Sequence, residues 1–93
     1  MAIIFDPAKR AKALADRSLD FARCEEVFAG NHLTIEDDRK DYGEQRCFTI
    51  GRLDGRMVVV VWTPRDGHER IISMRKANDR ERRAYGDRLD RPG

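Results

Sequence analysis

The stretch that most limits what this chain can become is CFTIGRLDGRMVVVVW, residues 47–62. Asp54-Gly55 at its centre is the residue pair that a tight hairpin turn favours. Before the turn, EQRCFTIGRL (44–53) alternates, with Phe48 and Ile50 on one side and Cys47 and Thr49 on the other. After it, RMVVVVWT (56–63) is apolar on both sides, the pattern of a central strand covered on two faces. In 93 residues such a hairpin leaves room for one small core, so residues 1–93 read as a single domain built on antiparallel strands.

Other segments arrange themselves around that hairpin. Ile3 to Phe5 is a short strand, and Asp6-Pro7 then caps and opens a helix reaching about Arg17. A second helix starts at Ser18 or Asp20, with Phe21, Cys24, Val27 and Phe28 at spacings of three and four, and stops at Gly30-Asn31. LTIED (33–37) is a strand and DDRKDYGE a charged loop. Pro64 to Gly67 forms a turn, HERIISMRKA (68–77) the last long strand, and Asn78 caps a C-terminal helix that runs to about Leu89 before the tail Arg91-Pro92-Gly93. Strict alternation along 68–77 would put Ile72 and Met74 on one face, with Ile71, Ser73 and Arg75 on the other beside Glu69. Helices first, then hairpin-linked strands, give an α+β fold with a largely antiparallel sheet in meander order.

Charge divides the chain in two. Residues 1–45 carry seven Lys/Arg against ten Asp/Glu, and residues 46–93 carry twelve against seven. A basic half of this kind suits a polyanion or an acidic partner. Arginine outnumbers lysine fifteen to four, which favours forked contacts to phosphate, although a GC-rich genome gives the same ratio. Cys24 and Cys47 make neither a metal spacing nor a disulfide framework, and read as buried groups in a reducing cytosol. The apolar runs are too short for a signal peptide or a membrane span, so a cytoplasmic protein without a membrane partner is expected.

The sequence holds no phosphate-binding glycine loop, nucleophile elbow or metal-ligand set, and no cofactor is expected. What it offers is arginine, lysine, glutamate and histidine. Arg75 on a strand face is no ordinary core residue and must be exposed, paired or holding a ligand. Glu44 and Arg46 share one side of their strand and read first as a surface ion pair, or else as a proton-handling acid beside a phosphate clamp. Trp62 is a core residue or a platform for a base, and His68 an exposed turn residue that titrates in a useful range. Metal-free RNA cleavage needs no more than these groups, because the 2′-hydroxyl is the internal nucleophile.

The chain resembles the BrnT family of toxins within the RelE-like ribonuclease superfamily. The likeness runs through FDPAK (5–9), SLDFA (18–22), EEVF (25–28), LTIED (33–37), GEQRCFTIG (43–51), VVVVWT (58–63), RIISMRKA (70–77) and ERRAY (81–85). It implies a RelE-like fold with N-terminal helices, a curved antiparallel sheet and a C-terminal helix. It implies a metal-independent endoribonuclease that cleaves mRNA and inhibits translation. It also implies a BrnA-like antitoxin, a DNA-binding dimer that would give a 2:2 complex. Glu44 and Arg46 match the family's E-x-R, and Arg75 and Lys76 match the basic end of R-I-I-S-x-R; Trp62 stands where a polar or different aromatic residue is common. On this reading Arg46 and Arg75 hold the scissile phosphate, Glu44 orients or deprotonates the 2′-hydroxyl, and Lys76 or His68 helps to neutralise charge. Arg70, Trp62 and His68 would contact RNA. The alternative is a non-catalytic module whose basic half docks an antitoxin or other acidic partner. A DNA-binding regulator fits less well, since there is no helix-turn-helix or ribbon pattern.

Overall fold

The computed structural model describes residues 2–37 and 43–90 of the 93. Most of the charged loop expected over 37–44, and the tail 91–93, lie outside the described residues. Strand β1 (Ile3–Phe5) comes first and helix α1 (Pro7–Arg17) second. Asp6 caps α1 by accepting a hydrogen bond from the Ala8 N–H, and Pro7 fills the first helical position. Ser18, in the left-handed region at φ 56°, closes the helix. Asp20 caps a 3₁₀ turn, Phe21–Arg23, that runs into α2 (Cys24–Ala29). Strands β2 (His32–Asp37), β3 (Arg46–Leu53), β4 (Arg56–Arg65) and β5 (His68–Lys76) follow, then helix α3 (Asp79–Asp90).

The fold is α+β with a five-stranded mixed sheet in the order β1-β5-β4-β3-β2. The expectation that helices lead is corrected: β1 precedes them and pairs parallel to β5, while β2 to β5 form the antiparallel meander. The first two helices carry the chain across the sheet, from one edge strand to the other. Both hairpins, at Asp54-Gly55 and Asp66-Gly67, place two successive residues at positive φ, the geometry that matches strand twist. Strand β4 runs on through Pro64 and Arg65, where the sequence suggested a turn. Its pairing with β3 stops at Trp62, so the proline falls in a segment flanked by β5 alone.

The valine run now has its reason. Val58 and Val60 face α1 and α2, packing with Phe21, Cys24, Val27 and Met74. Val59 faces α3, with Ile50, Met57, Ala77 and Leu89. Val61 points to the α3 side too but is only half-buried, because α3 covers the Met57 end of that face and not the Val61 end. The close seating of α2 on β3 depends on Gly51, where a Cβ would lie 2.7 Å from Val27 Cγ1.

Strand β5 breaks its alternation. Val61 pairs with Ser73 but Trp62 pairs with Ile71, leaving Ile72 as the extra residue of a bulge. Glu69 and Ile71 therefore share the α1/α2 face with Met74 and Lys76. Arg70 and Arg75 share the α3 face, correcting the simple parity read from the sequence. No helix among the described residues is long and apolar enough to cross a membrane.

Candidate functional site

The part of the α3 face that α3 leaves uncovered is the candidate site. Strand ladders set what projects there: Phe48 from β3, Val61 from β4, and Arg46, Arg70 and Arg75 at its margins. Arg46 and Arg75 thus stand on the same face. They belong to strands on either side of β4 and lie four ladder positions apart, on the order of 16 Å between Cα atoms. Across that span two extended arginine side chains can reach one phosphate between them or hold two neighbouring ones. Arg46 and Arg70 both flank Thr63, about 10 Å apart across β4.

Each arginine is held differently. The Arg46 guanidinium lies 4.0 Å from a Glu44 carboxylate oxygen, and its strand partner on β2 is Asp37. Arg75 makes a forked pair with Glu81 of α3, at 2.7 and 2.9 Å. Glu81 also accepts the Asn78 N–H at 2.9 Å while Asn78 Oδ1 accepts the Glu81 N–H at 2.8 Å, a reciprocal capping box. The Arg75 hydrogen bonds hold the Glu81 carboxyl below its usual range, and the Asn78 N–H adds to this, so Glu81 is a fixed anion and a positioning group rather than a proton acceptor. Arg70 is half-buried, and no carboxylate among the described residues lies within salt-bridge range of it.

The other residues proposed from the sequence lie elsewhere. Trp62 is 8% exposed on the α1/α2 face, edge-on to Phe28, and its indole N–H donates to Thr49 Oγ1 at 2.7 Å. It is built into the core, on the side away from the arginines, and offers no ring for stacking. Lys76 also turns to the α1/α2 side, and with Arg75 it borders a shallow groove at Arg17 and Ser18. His68 is exposed at the β4–β5 turn, at the Arg70 end of the strand. Glu81 was missed, although Asn78-x-x-Glu81 is itself a legible capping-box signature. Both thiols are inert: burial raises both, that of Cys24 to about 12. Among the described residues no group of three His, Cys, Asp or Glu side chains gathers as a metal site would require.

Three arginines around an apolar floor, on a sheet flank open to solvent, can track a polyanion backbone. Residues 5–81 match the family described as ribonuclease toxin, BrnT, of type II toxin-antitoxin system. The chain belongs to the BrnT family. The match takes in β2 to β5 and the last residue of β1, and ends at Glu81, the residue that holds Arg75. No curated protein matches the chain. Membership of the BrnT family makes this a toxin of the ribonuclease class, and a type II toxin has an antitoxin as its partner.

Proposed function

We propose that this chain is a metal-independent endoribonuclease of the RelE-like superfamily. It cleaves mRNA, stops translation, and is neutralised by a BrnA-like DNA-binding antitoxin in a 2:2 complex. The observation that carries this reading is the convergence of Arg46, Arg70 and Arg75 on one open sheet flank, in a chain of a ribonuclease toxin family. RNA brings its own nucleophile, so the protein has to bend the backbone into line, neutralise the phosphate and move protons. Arg46 and Arg70, closest to Glu44, hold the scissile phosphate, and Glu44 takes or orients the 2′-hydroxyl proton. Arg75, braced by Glu81, holds the next phosphate. A cation on the transition-state phosphorane contributes on the order of 10²–10³ in rate. His68 assists from the Arg70 end of β5; Lys76, on the other face, does not reach this phosphate.

The test is RNA incubated with pure protein in excess chelator. Persistent cleavage that falls about 10²-fold or more in Arg46→Ala is the expected result. Intact RNA under all conditions, with normal antitoxin binding, would instead leave the non-catalytic docking module. The observation favouring that second reading is that Glu81 already occupies two donors of Arg75.

A further inference from the structure

The arginine-bearing face changes character toward β2. There it drops into a groove of about 420 Å³ between β2 and α3. Phe48 and Ile50 form its floor, Ala84 and Tyr85 its helix wall, and Ile35 its outer lip. Ile35 is 39% exposed, unusual for a large aliphatic side chain in so small a protein. Beyond Ile35 lies the sheet edge: β2 is the last strand in the order, so no described strand pairs with its outer row of backbone N–H and C=O groups. Such an edge is a template for an added strand.

Charge says what kind of strand. Strand β2, residues 32–37, carries Glu36 and Asp37 and no lysine or arginine. Glu36 and Asp37 border the groove: Glu36, paired with Cys47, is exposed on the α1/α2 side of β2, Asp37 is buried opposite Arg46, and Arg80 and the Arg75–Glu81 pair stand on the α3 side. The outer edge of β2 carries the exposed carboxylate of Glu36 and no lysine or arginine. A basic peptide with an apolar anchor is attracted to it.

We propose that the antitoxin docks here: an extended segment adds to β2, seats an apolar side chain over Ile35 and Phe48, and sets a neighbouring lysine or arginine, from the opposite face of the added strand, against Glu36. The partner's identity rests on the toxin reading, but the site does not depend on which groups cleave RNA. The groove shares Phe48 with the arginine flank, so a segment lying in it also overhangs that flank.

The experiment is titration of the full chain with its cognate antitoxin. Ile35→Arg and Ala84→Arg are expected to weaken binding about tenfold or more, as loss of an interface anchor does. Glu36→Lys, on an exposed side chain, weakens it in a salt-dependent way without disturbing the fold. Leu14→Arg, at the other exposed aliphatic residue on α1, leaves affinity unchanged. Amide exchange at His32–Asp37 slows in the complex. Unchanged affinity in Ile35→Arg and Glu36→Lys, or unprotected β2 amides, overturns the proposal. So does loss of RNA cleavage in these variants with antitoxin affinity intact, which would assign the groove to RNA. The expected binding pattern in a protein that cleaves no RNA would sink the catalytic reading and leave this one standing.

Discussion

Arg75 and Glu81 show how one contact can serve both stability and function. The fork ties β5 to the first turn of α3, and Glu81→Ala would remove it together with half of the capping box. A loss of about 2 kcal/mol is expected, against about 1 kcal/mol for Asn78→Ala, both read by denaturant unfolding. Because Glu81 is held below its ordinary pKa of 4.5, its contribution is complete above that value and is lost as pH falls beneath it. Glu69 behaves in the opposite sense. It is 5% exposed beside the α1/α2 core, and burial pushes its carboxyl up, with the charge of His32 pulling the other way. A raised carboxyl costs stability as pH climbs from the unfolded value through the folded one. Glu69→Gln should therefore raise the melting temperature at pH 7 and change little near pH 4, as measured by calorimetry. Arg75 was legible as an oddity on a strand, and Trp62 as a core residue at the end of the apolar run; which face Trp62 takes, away from the site, is fixed only by the ladder.

At the scale of elements, α2 and β3 meet through a glycine. Gly51→Ala would drive a methyl into Val27 and should cost about 1–3 kcal/mol, seen as a lowered unfolding midpoint with the sheet otherwise intact. The strands, their order along the chain, the Asp54-Gly55 hairpin and the starts of α1 and α3 could be read from alternation, turn dipeptides and caps, whereas the start of α2 stayed open between Ser18 and Asp20 and falls at Cys24 after a 3₁₀ turn. Three things could not. The bulge at Ile72 follows from the match between β5 and its neighbour, which no local pattern encodes. The parallel seat of β1 against β5 joins segments more than sixty residues apart, and a three-residue strand carries no sign of its partner. The end of β4 beyond Pro64 depends on where β3 stops.

For the whole molecule, the net charge of +2 is a poor guide to RNA affinity, because the positive charge that matters is the arginine set on one flank. If three arginines meet three phosphates, the logarithm of RNA affinity should fall against the logarithm of salt with a slope of about −2. Arg70→Ala should flatten that slope by about 0.7, which binding measured across a salt series would reveal. The placement of β5 has a further consequence during synthesis. It is the last strand made, yet it supplies two of the three arginines and is the seat for the first strand made. Until β5 has left the ribosome, β1 lacks the strand it pairs with and the arginine set is incomplete. The sheet order thus acts as a timer, withholding a competent surface until the strand between β1 and β4 has been made.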